Sequence, residues 1–172
     1  MPTIRTVAAS EMPSLIPALA EILIDCVYGG ASVSFQPPLD KARAEAFWRT
    51  VADAVAAGTA RLLIAEHDGR IAGTVQLQFP SSDNQPHRAD VAKMLVHRSG
   101  RRLGLGAALM HGVEAEAKRC GRTLLVLDTH TGSPGEKLYA KMGWTRVGVI
   151  PGYALTPYDG LCDTTIYYKQ LT

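Results

Sequence analysis

Residues 90–107 read DVAKMLVHRSGRRLGLGA, and the fold turns on them. The spacing predicts a strand over 90–97. Three arginines, Arg98, Arg101 and Arg102, then fall within five positions, and Gly104-x-Gly106 opens a helix from about Gly104 to Arg119. Glycine lets the backbone approach a ligand closely and take turn conformations closed to other residues. A helix start offers unpaired N–H groups and a partial positive charge. Together these suit a pyrophosphate. A P-loop would need Lys-Ser/Thr after its glycines, but Gly106 is followed by Ala107-Ala108. A dinucleotide fingerprint would need Gly or Ala where Leu109 stands. It would also need an early strand–helix–strand unit, and this one lies late, although Asp128 is roughly where its acidic residue would be. On these residues alone, a solvated basic turn capped by glycines is the competing reading.

Outward from this stretch the chain alternates strands and helices. TIRTV (3–7) suits an opening strand. A helix follows from about Ser14 to Tyr28, with Leu15, Leu19, Ile22, Leu23 and Cys26 on one face and Pro17 in its first turn. A second helix runs between an Asp40 cap and a Gly58 stop. Strands at 60–67 and 70–79 flank Asp68-Gly69, a strong hairpin signal. In the helix after the glycines, Leu109, Val113 and Ala117 point inward, and His111, Glu114, Glu116 and Lys118 outward. TLLVLD (123–128) reads as a buried parallel strand. Ser133 caps a short helix to Met142, with Glu136 three residues on. Strands at 144–150 and 163–170 enclose a Pro/Gly/Tyr-rich connection, 151–162. The order is β-α-α-β-β-β-α-β-α-β-β, which predicts an α/β fold with a mixed sheet and helices on its faces.

Composition bounds the function. The chain of 172 residues is 47% hydrophobic and 20% charged, so it reads as one domain (1–172) with a sizeable core. The net charge of +2 excludes a general nucleic-acid binder or a polybasic membrane binder. No apolar run suits a transmembrane helix, and MPTIRTVAAS lacks a signal-peptide core. Cys26, Cys120 and Cys162 form no CxxC pair and suit free thiols, so a cytoplasmic protein is expected.

Arg101-Arg102-Leu103-Gly104-Leu105-Gly106 resembles the Q/R-x-x-G-x-G/A motif of the GCN5-related N-acetyltransferases (GNAT). The strand MLV before it and LYAKMGW (138–144) after it fall where that family has its other signatures. GGASVSF (29–35), RADVAKMLV (88–96), LDT (127–129) and TRVGVIPGYALTP (145–157) resemble its tabtoxin-resistance subgroup. The resemblance implies a mixed, mostly antiparallel sheet of six to seven strands with a splayed parallel pair, flanked by about four helices.

It also implies acetyl-CoA as cosubstrate, with no metal, in a cleft between 90–97 and 123–129. The backbone of Met94, Leu95 and Val96 would pair with the pantetheine arm. The N–H groups of Arg102, Leu103, Gly104, Leu105, Gly106 and Ala107 would hold the pyrophosphate, with side-chain contacts from among Arg98, Arg101 and Arg102. The Leu95 N–H would stabilise the thioester oxyanion. Tyr139 takes the family's general-acid position, where a short-helix core aromatic is the reading from residues alone. Asp90 and Asp128 are the candidate bases, Asp90 preferred and Asp128 equally open to a capping role. Many members carry Asn seven residues before the tyrosine; Gly132 stands there, and Ser133 is its substitute. His130 sits nearest the cleft among the histidines, and Glu66 is outward beside a hairpin turn.

The acceptor side is expected from 28–36 and 151–158, with Ser32, Phe35 and Tyr153 as lining residues, plain loop structure being their alternative. The expected activity is direct acetyl transfer to an amine or hydroxyl of a small molecule, a β-lactam toxin or an amino-acid-like compound, with a role in resistance. The rivals are a protein N-terminal or lysine acetyltransferase and a non-catalytic CoA sensor. No cysteine lies in the implied catalytic motifs, so no acyl-enzyme is expected. A homodimer is the assembly common in the family.

Overall fold

The computed structural model describes residues 2–172. Seven strands form one sheet: β1 (Thr3–Thr6), β2 (Ala60–His67), β3 (Arg70–Gln78), β4 (Arg88–Val96), β5 (Leu124–His130), β6 (Thr145–Thr156) and β7 (Gly160–Gln170). Their spatial order is β1-β2-β3-β4-β5-β7-β6. All neighbours are antiparallel except β4 and β5. Four α-helices accompany them: α1 (Met12–Tyr28), α2 (Lys41–Ala56), α3 (Leu105–Arg119) and α4 (Pro134–Lys141). The expected mixed sheet with a splayed parallel pair is present.

Strand β2 shows why both faces carry helices. Leu62 and Ile64 join a core with Leu19, Leu23 and Trp48 of α1 and α2. Leu63 and Ala65 join a second core with Leu109, Met110 and Val113 of α3, and with Tyr139 and Trp144. A strand buried on both sides is apolar at successive positions rather than alternate ones.

The bulge in β4 creates the cleft. Gln76 of β3 faces Ala92, and Thr74 faces Leu95, so Val75 opposes both Lys93 and Met94. Lys93 sits at φ 49°. A bulge bends and twists its strand and resets the alternation of side chains. Accordingly Val91 belongs to the α3 core and Leu95 to the α1–α2 core, although strict alternation would put them on one face. Strand β4 pairs with β5 only from Arg88 to Asp90, while β5 stays paired with β7 to His130. The two strands therefore part beyond Asp90.

Three expectations are corrected. Helix α1 begins at Met12, so Pro13 occupies the first turn and Pro17 lies inside the helix. Pro17 is exposed there, where the carbonyl it leaves unpaired can face water. The connection 151–162 is not a loop: β6 and β7 form one long hairpin turning at 157–159. Pro151 lies in a register break of β6, the outermost strand, where a missing N–H costs no ladder bond. Glu116 is buried rather than outward, accepting from Thr6 Oγ1 at 3.2 Å and Arg119 Nε at 2.9 Å, with Arg61 Nε at 3.6 Å.

Candidate active site

A cavity of about 1370 Å³ opens where β4 and β5 part. Its walls are the outer half of β4, the start of α3, the end of β5, α4, the segment 29–36 and the β6–β7 hairpin. The free edge of β4 supplies backbone groups to it. His97 N–H donates to the Ala72 carbonyl at 2.9 Å. Antiparallel alternation extends that pattern to the Thr74–Leu95 pair, so the Leu95 N–H is spent inside the sheet. Met94 and Val96 point their backbone groups the other way. The expectation that the Leu95 N–H faces the cleft is therefore corrected: it turns into the sheet, and the Met94 N–H turns toward the cavity.

The start of α3 has the features of an anion cradle. No N–H from Arg102 to Ala107 finds a partner among the described residues. Gly104 caps the helix at φ 77°, a conformation that strains other residues. At Gly106 a Cβ would lie 3.2 Å from Leu138 of α4, so the missing side chain lets the start of α3 approach α4. Six consecutive free donors at a helix N-terminus fit the pyrophosphate of acetyl-CoA.

The arginines divide. Asp25, buried on the inner face of α1, accepts from the Arg98 N–H at 2.9 Å and from Arg98 Nε, with His97 Nε2 at 3.6 Å and Arg101 Nη2 at 3.9 Å. Burial pushes this carboxyl up. The Arg98 backbone and side-chain hydrogen bonds and the His97 and Arg98 charges outweigh it, and the pKa lies below the ordinary value. Arg98 is thus a tether for the turn. Arg101, which also donates to the Val96 carbonyl at 3.4 Å, and Arg102 line the cavity. Asp25 was missed in the sequence. Its signal is an acidic residue inside the apolar stripe of Ile22, Leu23, Cys26 and Val27, since buried charges are paired.

Tyr139 and Asp128 both line the cavity. Tyr139 is buried against Trp144 and Tyr167, at centroid distances of 6.1 and 6.2 Å. Burial, and then the charge of Asp128, push its phenol up to about 12. Asp128 is exposed to the cavity and accepts from Thr164 Oγ1 at 3.1 Å. Asp90 does not line it. Its carboxylate is held by Arg88 Nη1 at 2.8 Å. Burial raises the Asp90 carboxyl, Arg88 opposes this, and Asp128 adds a smaller rise, so the net direction is upward. Ser133 Oγ caps α4, accepting from Glu136 N at 3.2 Å, and lies 3.2 Å from Thr129 Oγ1. Glu66 pairs with Arg5 at 3.1 Å, away from the cavity.

Two cysteines set aside in the sequence do line the cavity, Cys26 and Cys162. Burial, and then the charge of Asp25, push the Cys26 thiol up to about 11.

Ser32, Phe35 and Tyr153 also line the cavity. Ser32 Oγ donates to the Leu155 carbonyl at 3.0 Å, Gln36 Nε2 reaches Leu155 and Thr156 at 3.2 Å each, and Tyr158 OH reaches the Tyr28 carbonyl at 3.3 Å. The two segments expected on the acceptor side are thereby clasped. Lys93, absent from the sequence-derived site, projects from the bulge into the same space. Burial lowers its ammonium below the ordinary value, with Asp128 acting in the opposite sense.

A profile of the family described as "Acetyltransferase (GNAT) family" matches residues 17–144. The chain is 38% identical over 90 residues to the mycothiol acetyltransferase of Kineococcus radiotolerans; the match spans 52% of this chain but only 28% of that protein. Its fold is similar to YncA of Salmonella typhimurium, an acetyltransferase structure solved with its cofactor acetyl-CoA (TM-score 0.79, 21% identity, 100% of this chain and 95% of that one). It is equally similar to a ribosomal-protein-alanine N-acetyltransferase of Brucella melitensis (TM-score 0.79, 19% identity, 98% and 99%). At these identities the solved structures speak for the fold and not for the acceptor. No helix among the described residues is long and apolar enough to cross a membrane.

Proposed function

The chain belongs to the acetyltransferase (GNAT) family, and on that premise we propose that it moves an acetyl group from acetyl-CoA directly onto the amine, or a hydroxyl, of a small molecule. One observation carries the reading. The free edge of β4, six unpartnered N–H groups, Tyr139 and Asp128 all face a single cavity.

Acetyl-CoA supplies the activated thioester. The N–H groups of residues 102–107 hold its pyrophosphate, and Arg101 and Arg102 add charge. Met94 and Val96 pair with the pantetheine arm as an added strand. The Met94 N–H polarises the thioester carbonyl. Asp128 accepts the proton the amine gives up as the N–C bond forms. Tyr139 donates to the sulfur as the C–S bond breaks. A phenol at about 12 stays protonated across the working range. Full transfer to a thiolate with a conjugate acid near ~8.5 is uphill by a few pKa units. Tyr139 therefore acts first as a hydrogen-bond donor, its proton following as the thiolate leaves. A protonated Cys26 supports direct transfer over an acyl-enzyme.

The clasp between 29–36 and the hairpin favours a small acceptor over a protein tail. The resemblance to the tabtoxin-resistance subgroup points to an amino-acid-like compound or a β-lactam toxin, and to a role in resistance in the cytoplasm. Acetyl-CoA at a hundredfold excess over Kd should raise Tm by on the order of 5–10 °C, and ATP and NAD should leave it unchanged. Stabilisation by ATP with none by acetyl-CoA would overturn the proposal. A panel of amines read by free CoA release identifies the acceptor.

A further inference from the structure

The outward half of the cavity holds a cation that the reaction proposed above leaves without a task. Lys93 stands on the β4 bulge, partly buried, and lines the cavity. Its Nζ donates to Ser34 Oγ at 3.0 Å and lies 5.8 Å from the centre of the Phe47 ring. Among the described residues, no carboxylate oxygen comes within 4.0 Å of it. An ammonium has three donors, and one is claimed by the protein. A partly buried charge without an opposite charge is costly, and folds retain such a group where a ligand completes it. Of the other basic side chains of this region, Arg88 is held by Asp90, and Arg98 and Arg101 face Asp25, while Arg102, which has no carboxylate within 4.0 Å among the described residues, stands at the pyrophosphate cradle.

Asp128 lines the same space, and no ion pair joins it to Lys93. The cavity thus presents an anion and a cation that have not neutralised each other. Asp163, the other aspartate in the wall, is engaged by the Gly152 N–H at 2.8 Å. The pyrophosphate cradle lies at the start of α3, so the anion that Lys93 lacks does not come from there. Resting on the acetyl-transfer reading, we infer that the acceptor carries a carboxylate beside its amine, with Lys93 holding the carboxylate and Asp128 facing the amine. Lys93 is then a specificity-determining residue. It discriminates acids from their neutral analogues because a neutral acceptor would leave the ammonium partly buried and without a counter-charge.

The test uses the whole protein, acetyl-CoA, and each α-amino acid beside its carboxamide, which keeps the amine and removes the negative charge. The wild type should favour the acid at least about tenfold in kcat/KM, with the difference in KM. Lys93→Met, which keeps a linear side chain on the bulge, should abolish that preference, and Lys93→Arg should retain part of it. The Kd for acetyl-CoA should match the wild type in both. Equal use of acid and amide by the wild type, or an unchanged preference in Lys93→Met, would overturn the inference while leaving acetyl transfer intact. A second arm replaces acetyl-CoA by succinyl-CoA. If the wild type favours succinyl-CoA and Lys93→Met loses that preference, the carboxylate belongs to the donor and the inference falls. Failure of the wild type to bind acetyl-CoA would sink the acetyl-transfer reading and this inference together.

Discussion

The two ends of the cavity are built from different materials. At the α3 end, the proposed cofactor end, the groups that face the cavity are backbone: six N–H donors and the freed edge of β4. At the other end, the proposed acceptor end, they are side chains: Lys93, Asp128, Tyr139 and the lining residues of two clasped segments. Backbone donors depend on conformation, so that end is controlled by glycine and by register. Side-chain groups depend on identity, so the other end can change its acceptor without disturbing the cradle. One fold can therefore keep a cofactor and vary what it modifies.

This contrast can be broken by substitutions at either end. The largest expected effect is at Asp128. Asp128→Asn should lower kcat by about 10²–10⁴-fold, with the Kd for acetyl-CoA unchanged by titration calorimetry. Asp90→Asn, whose partner Arg88 lies outside the cavity wall, should leave kcat near wild type. The reverse result would move the base to Asp90. Next, Tyr139→Phe should lower kcat by about a hundredfold with cofactor affinity kept, and unchanged turnover would remove Tyr139 from the leaving-group role.

A substitution in the cradle should give the opposite signature. Gly104→Val places a β-branched residue at φ 77°, a strain of about 1–3 kcal/mol. Acetyl-CoA affinity should fall about ten- to hundredfold, with the acceptor KM unchanged. Intact affinity would refute the pyrophosphate assignment.

The smallest effect on chemistry is expected at Asp25, which does not line the cavity. Asp25→Asn should cost about 2 kcal/mol of stability through the loosened arginine turn, measured by urea unfolding. Its carboxyl has a folded pKa below the unfolded value. The stabilisation is thus complete above the unfolded pKa of about 3.9 and is lost as pH falls through the folded one. The wild type should lose stability over that acidic window more steeply than Asp25→Asn. Parallel curves would show that the carboxylate does not hold the turn.

The free N–H groups at the start of α3 were legible in the sequence because a glycine-started helix after a strand has a local signature. The N–H groups of residues 102–107 need no distant partner to be free. Ser133 with Glu136, and Asp40 at the start of α2, were legible for the same reason: a cap is a contact across three residues. The cavity wall at the other end was only partly legible. Ser32, Phe35 and Tyr153 were reachable as loop residues near glycines. Lys93 was not, because inside the run DVAKMLV it read as one more strand position. Asp25 and Arg98 lie 73 residues apart, and nothing local marks them as partners. The Pro/Gly/Tyr run 151–162 misled because composition signals a loop, while an edge strand with a register break accepts the same residues.

By itself the sequence determined the order of elements, most of the apolar faces of the helices and the glycine-started helix with its free N–H groups, all of which depend on neighbours a few residues apart. Tertiary structure decided which backbone groups face the cleft. One residue of β3 opposes two of β4, and that single mismatch turns Val91 and Leu95 to opposite cores, moves the free N–H from Leu95 to Met94 and lifts Lys93 into the cavity. Strand pairing is a contact between distant segments, so register, and everything a bulge does to it, becomes visible only once the strands are side by side.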